Sequence, residues 1–179
     1  MTPKMTGVEI RQSFIEYFKE RGHTVCVITL PIIPDTYRNA NGFLYARNYE
    51  YSNRIIDQTI EAASRSDLIG ISFMTQYFSA AVQLTKAIKE RLPVPVIWGG
   101  VHPTVRPEEC LEYADIVCVG EGEEALAELA ERMEKGRDYS DIANLGFLKD
   151  SKTILNPVRP LLKDLDALPW LDYGPDNHF

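Results

Sequence analysis

Positive charge is in short supply in this chain of 179 residues. It has 19 lysines and arginines against 26 aspartates and glutamates, a net charge of −7. A nucleic-acid surface needs a basic stripe, and no Lys/Arg cluster provides one, so nucleic acid is not an expected partner. Long apolar runs are also missing. Nothing reaches the 18 residues that would mark a membrane span, and "MTPKMTGVEIRQ" lacks the apolar core of an export signal. The expectation is a cytoplasmic protein with no membrane partner. Cysteine is scarce: Cys26, Cys110 and Cys118 are an odd number, spaced for neither a disulfide framework nor a zinc site. Cys26 and Cys118 sit in apolar runs, where a free thiol packs as a small hydrophobe. No internal repeat and no low-complexity tract is present.

The length suits one domain plus an extension. "TGVEIRQSFIEYFKERG" opens with a capping-box pattern, Thr6 to Glu9, repeats Ile10, Phe14 and Phe18 at helical spacing, and stops at Gly22. "TVCVITL" (24–30) reads as a buried strand. Residues 31–51 form a polar, aromatic excursion with a short ordered piece at Phe43–Ala46. Ser52 caps a helix carrying Ile56, Ile60 and Ala63. Beyond it the pattern is regular: strand 68–73, helix 77–92, strand 94–98, a short helix opened by Pro107, strand 115–119 and helix 123–136. Strands alternating with helices imply a doubly wound α/β domain with a mainly parallel sheet. After Asp141 the rhythm breaks. "LGFLK" and "TILN" read as a small hairpin, and "VRPLLKDLDALPWLDYGPDNHF" as a proline-rich linker or strap. The expected division is 1–141 for the α/β domain and 142–179 for hairpin and linker.

Ligands of open α/β sheets bind beyond the carboxyl ends of the strands. Here those ends read Ser72-Phe73-Met74-Thr75-Gln76, Gly99-Gly100-Val101-His102-Pro103 and Gly120-Glu121-Gly122-Glu123. Small and polar residues gather on that one rim. The opposite ends carry ordinary joints such as Leu92-Pro93. Two glycines at a strand end contribute no side-chain packing and cost backbone entropy. They leave room for a slender group against the sheet edge. Gly120 and Gly122 open a helix whose free N–H groups can meet an anion, but Glu121, Glu123 and Glu124 stand beside them. A ligand with amides and one phosphodiester fits that charge better than a polyphosphate.

"DLIGISFMT" followed by "VIWGGVHPTVRPEECLEYADIVCVGEGEEALAEL" closely resembles the cobalamin-binding domain of class B radical S-adenosylmethionine enzymes, and "LLKDLDALPWLDY" resembles the strap that follows it there. The resemblance covers roughly residues 66–173. It implies a flavodoxin-like fold that holds cobalamin with its nucleotide tail buried at the carboxyl rim and its corrin facing a partner domain. By that resemblance Ser72, Met74, Thr75 and Gln76 lie near the tail, and Gly99 and Gly100 let it pass the sheet edge. Val101, His102 and Pro103 shape the loop, while Gly120, Glu121 and Gly122 close the far wall.

The sequence departs from that family in three ways. It lacks the Asp-x-His-x-x-Gly motif that supplies a lower axial histidine, so histidine ligation of the methionine synthase kind is not expected and no metal-ligating residue is named; the cobalt would lack a protein ligand, or take one from residues 31–50 or from water. It lacks the Cys-x-x-x-Cys-x-x-Cys triad of an iron–sulfur cluster. The chain alone is therefore expected to be non-catalytic and to act with a radical S-adenosylmethionine domain or subunit. It also opens on a helix where the family opens on a strand, as a shortened relative or a fragment would. Three other readings stay open. The chain is a scaffold remnant that binds nothing, a dinucleotide domain using Gly120-x-Gly122-x-x-Ala125, or a receiver-like domain. The last lacks an aspartate at the strand end, where Ser72 stands.

Overall fold

The computed structural model describes Phe18, residues 21–25, Ile28, Leu30 and residues 50–163. Residues 32–160 form one compact unit, and residues 1–31 with 161–179 form another. In the latter, Phe18 is helical, Gly22 has φ +86° and the N–H groups of Arg21 and His23 both reach the Phe18 carbonyl; the rest of the expected N-terminal helix, with Ile10 and Phe14, lies outside the described residues. The expected strand over 24–30 falls partly outside the described residues; Thr24, Val25, Ile28 and Leu30 are described and carry no strand. Most of the 31–51 excursion, with Phe43–Ala46, and the strap beyond 163 also lie outside them.

The larger unit is a layered α/β structure. Its helices are α1 (Asn53–Ala63), α2 (Phe78–Arg91), the short α3 (Val101–Val105) and α4 (Pro107–Cys110), and α5 (Glu123–Glu134). Its sheet runs in the order β1 (Ile69–Ser72), β2 (Val96–Gly99), β3 (Ile116–Cys118), β4 (Leu145–Lys149), β5 (Lys152–Leu155). The first three strands are parallel and the last two antiparallel. This is the flavodoxin-like α/β architecture that the alternation of elements predicts. The hairpin is part of the sheet, because β4 pairs along β3. Its two-residue turn, Asp150-Ser151, has φ of 50° and 60°, the left-handed pair that suits the twist of a tight hairpin.

Alternation along the strands sends two sets of side chains to opposite faces. On one face Trp98 is fully buried. Its indole N–H donates to Thr85 Oγ1 on α2 at 2.8 Å, and Phe73 meets its ring edge-on at 5.0 Å. α2 covers this face with Ala81, Leu84 and Ile88, all buried, each large aliphatic contributing about 1.5–3 kcal/mol relative to exposure. On the other face Ile97, Ile116, Cys118, Leu145, Ala125, Leu129 and Ile142 form one buried cluster. α5 therefore seals the β2–β4 half of that face.

The two faces differ at β1. Its burial alternates, with Gly70 and Ser72 exposed and Ile69 and Ile71 half-buried. Ile97, beside Gly70 on β2, is buried. Among the described residues the cover over this face thus stops short of β1.

Candidate functional site

The rim is built by three loops that follow three parallel strands. Ser72 pairs in register with Gly99. The β2–β3 register, Trp98 with Val117, brings Cys118 next in the same row. A Cβ placed on Gly99 would stand 3.9 Å from Cys118 Cβ, an ordinary contact, and one on Gly122 would stand 3.5 Å from Cys118 Sγ. Ser72, Gly99, Cys118 and Gly122 therefore line a row of small groups across the carboxyl ends of the strands. With the exposed Gly70 below Ser72, they form a strip of small groups, the trough, beside the part of the face that α5 covers. Of these residues, Gly70 and Cys118 escaped the sequence reading. The available signal was alternation: Gly70 is two residues before Ser72, and Cys118 ends a strand.

Hydrogen bonds between the loops hold them together. Phe73 N–H donates to the Gly99 carbonyl at 3.1 Å, and His102 N–H reaches the Phe73 carbonyl at 3.4 Å. The Thr104 hydroxyl donates to the Gly100 carbonyl at 2.8 Å and accepts the Gly120 N–H at 3.0 Å, bridging the second and third loops. His102 Nδ1 and Thr75 Oγ1 share a hydrogen bond of 3.2 Å, bridging the first and second.

Gly99 and Gly100 do different work. Gly100 has φ +92°, and a Cβ there would lie 2.8 Å from the Phe73 carbonyl oxygen and 2.9 Å from Ser72 Oγ. The space beside Gly100 is filled by the neighbouring loop. Gly99 faces the trough and has no such crowding. Gly120 also takes a left-handed φ, +81°, and stands against Asn144, which is 99% buried. Glu121 is half-buried in this turn, and Gly122 takes the position that precedes α5.

At the mouth, Met74 and Val101 are exposed, as is Val105 one turn after Val101. Thr75 and Gln76 lie in a single turn of 3-10 helix and are exposed, whereas Pro103 is buried. The site thus offers exposed apolar side chains at its opening and small groups within.

His102 is 4% exposed, with Phe78 at 4.7 Å and Phe73 at 5.6 Å between ring centroids. Its pKa lies below the usual 6.5, first because burial disfavours the imidazolium and also because of Arg106, with Glu109 opposing. The sign follows from proton uptake. Below pH about 6.5 the unfolded chain binds a proton that the folded site resists, so stability falls with pH until the lowered folded pKa is reached. Above 6.5 the full stability is present. Urea midpoints measured between pH 5.5 and 7.5 should rise with pH in the native chain. The rise should be smaller in His102→Gln; equal slopes would show that another group is responsible.

Burial, with Glu123 second and Arg159 opposing, pushes the Cys118 thiol up to about 11. It is a neutral, buried S–H beneath Gly99 and Gly122 rather than a thiolate. Among the described residues no group of three His, Cys, Asp or Glu side chains is placed to hold a metal ion, and no helix is long and apolar enough to cross a membrane.

Comparison with known proteins points the same way. A curated relative, an uncharacterized methyltransferase of Pyrococcus horikoshii, is 34% identical over 112 residues, covering 60% of this chain and 24% of that protein. The anaerobic magnesium-protoporphyrin IX monomethyl ester cyclase of a Synechocystis strain is 29% identical over 119 residues, covering 64% and 24%. The chain thus spans about a quarter of the length of these relatives. Among solved structures, the radical S-adenosylmethionine methyltransferase TsrM of Kitasatospora setae, with cobalamin and a [4Fe-4S] cluster bound, superposes with a TM-score of 0.57. The identity is 17%, over 92% of this chain and 28% of that one. The cobalamin-dependent radical enzyme OxsB, with aqua-cobalamin and S-adenosylmethionine bound, gives 0.53 at 22% identity over 59% and 16%. Those two likenesses are of fold. The profile of the B12 binding domain matches residues 14–130, a span that contains β1, β2, β3 and every rim residue from Ser72 to Gly122, and by that match the chain belongs to the B12-binding domain family.

Proposed function

We propose that this chain holds cobalamin for a larger enzyme, with the nucleotide tail in the trough beside Gly70, Ser72, Gly99 and Gly122 and the corrin over the rim. The observation that carries this reading is the exposure of Gly70 and Ser72 on a half-face at β1 that no described residue covers. Gly70 and Ser72 are exposed on a sheet face whose β2–β4 portion is sealed by α5. A sheet face is normally covered, and a bare strip of small groups beside a sealed one has the shape of a slot for a slender arm. Exposed Met74 and Val101 offer apolar contact to a macrocycle at the mouth.

Within this reading each loop has a task. Ser72 offers a hydroxyl that donates or accepts. Gly99 keeps the floor clear. Thr75 and His102 fix the first loop to the second, while Thr104 fixes the second to the third, so the trough stands ready before the ligand enters. Gln76 and Glu121 present polar groups at its edges, Val101 and Pro103 shape the second loop, and Gly120 sets the turn into α5. The buried oxygen Glu123 Oε2, which has no hydrogen-bond partner, is the kind of group a cofactor carrying amides and a hydroxyl would satisfy. When bound, cobalamin supplies a cobalt centre able to carry a methyl group. In this reading His102 does not ligate the cobalt, for it is held between Phe73 and Phe78 and bonded to Thr75. The iron–sulfur cluster and the radical chemistry would come from a partner domain or subunit of the radical S-adenosylmethionine type.

The test is retention of a corrinoid. Purified protein mixed with hydroxocobalamin and passed through gel filtration should carry corrin absorbance in the protein peak, at a ratio near one. If circular dichroism shows the chain folded and no corrin co-elutes, the reading fails and a scaffold role takes its place.

A further inference from the structure

Among the described residues, two buried side-chain atoms lack a hydrogen-bond partner, His102 Nε2 and Glu123 Oε2. The first has a remedy close by: Glu109 Oε2 lies 3.9 Å away on a half-exposed side chain, and a small torsion would join them. The second has none. Glu123 opens α5, and its neighbour Glu124 is turned toward Arg159, 3.6 Å away. Arg159 also grips Glu128 at 2.5 Å. Arg159 is therefore engaged by Glu124 and Glu128. Glu123 follows Gly122 at the start of α5, where a Cβ on Gly122 would meet Cys118 Sγ at 3.5 Å, next to the row of small groups at the strand ends.

A carboxylate oxygen out of water with nothing to accept from carries the full desolvation penalty of that group. Native structures keep few such atoms, and those few call for an explanation. We infer that Glu123 is a ligand-recognition residue of the trough, whose carboxylate accepts a hydrogen bond from a neutral N–H or O–H donor of the bound cofactor. The inference rests on the cobalamin reading above and adds to it a residue and a polarity. An acceptor at this point favours an amide or a hydroxyl and disfavours a phosphate oxygen. Cobalamin carries both kinds of donor: amide N–H groups around the ring, and a hydroxyl on the ribose of its nucleotide arm. A charge-assisted bond is about twice as strong as a neutral one, so loss of the charge alone should be felt.

The experiment is a titration of the full chain with hydroxocobalamin, followed by absorbance, for the native protein, Glu123→Gln, Glu123→Ala and Glu124→Gln. Glu123→Ala should weaken binding tenfold or more. Glu123→Gln keeps one acceptor oxygen without charge and should weaken it a few-fold. Glu124→Gln removes the same unit of charge one residue away and should leave affinity within twofold. Repeating the series with dicyanocobinamide, which has no nucleotide arm, assigns the donor. A Glu123→Ala effect that vanishes points to the ribose hydroxyl, and one that persists points to a ring amide. Circular dichroism and urea midpoints check that each variant is folded. If the native chain binds cobalamin and Glu123→Ala binds equally well, a water meets the oxygen and this inference is overturned while the functional reading stands. If the folded native chain binds no corrinoid, both fall.

Discussion

Replacing Gly100 by alanine should destabilise the fold by about 3 kcal/mol, while the same change at its neighbour Gly99 should cost less than about 1 kcal/mol. The two residues are adjacent and chemically identical, yet the chain uses them for different purposes. A methyl group on Gly100 would stand 2.8 Å from the Phe73 carbonyl oxygen, 2.9 Å from Ser72 Oγ and 3.0 Å from the Phe73 nitrogen. Two of those three atoms are backbone and cannot rotate away. A left-handed φ of +92° adds strain for any residue with a Cβ, about 1 kcal/mol or more. At Gly99 the added Cβ meets only Cys118 Cβ at 3.9 Å. Urea unfolding followed by tryptophan fluorescence, with Trp98 as a fully buried reporter, reads the difference directly. Equal costs at the two positions would refute the division of labour.

The functional half of that prediction reverses the order. Gly99→Leu should leave the fold standing and abolish corrinoid retention, because its side chain would project along the row between Ser72 and Cys118 into the trough. The variant must first give a native-like circular dichroism spectrum. Retention unchanged in such a variant would move the ligand to another part of the rim.

Much of this architecture was legible because its signals are local. Ile56, Ile60 and Ala63 repeat at helical spacing, and all three are buried on α1. Pro107 and the two glutamates after it mark α4, where they lie in its first turn. The convergence of Ser72, Gly99 and Gly122 follows from parallel register, which places equivalent strand ends side by side. What escaped is what depends on distant partners. The turn of helix at Val101–Val105 has two β-branched ends and a central proline, poor helix formers. It is held by tertiary bonds instead, from His102 to the first loop and from Thr104 to Gly120. The attachment of the hairpin to β3 was equally silent. Gly146 permits it, since a Cβ there would stand 2.8 Å from Val117 Cγ2 across the pair and 2.5 Å from Leu155 Cδ2. A glycine inside a strand pattern announces close approach without naming the neighbour. Glu123 was visible as one of three acids beside the glycines, but its missing partner is a property of the packed structure.

Asn144 is the residue whose loss should propagate furthest toward the trough. It is 1% exposed, precedes β4, and holds φ of 72°, a conformation that asparagine tolerates better than most side chains. Its amide donates to the Val119 carbonyl at 2.7 Å, and its side-chain oxygen accepts from the Arg159 backbone N–H at 3.2 Å and from Arg159 Nη1 at 3.3 Å. Its backbone closes the ring, accepting the Val119 N–H at 2.8 Å and donating to the Pro157 carbonyl at 3.0 Å. One side chain thus ties the end of β3 to the segment that follows the hairpin, directly under Gly120. Asn144→Ala removes the side-chain bonds, strands a buried carbonyl and puts alanine at a left-handed φ, for a combined loss of about 3–4 kcal/mol. Asn144→Gly relieves the backbone term but restores no hydrogen bond, so it should recover about 1 kcal/mol. Because Arg159 shares these contacts, Asn144→Ala and Arg159→Ala should be non-additive, with a coupling of about 1 kcal/mol in a double-mutant cycle. Hydrogen exchange at Gly120, whose N–H is held by Thr104, should quicken in Asn144→Ala even in native buffer. Unchanged protection at Gly120, with stability lost elsewhere, would show that the third loop holds its place by its own bonds and that Asn144 supports only the hairpin.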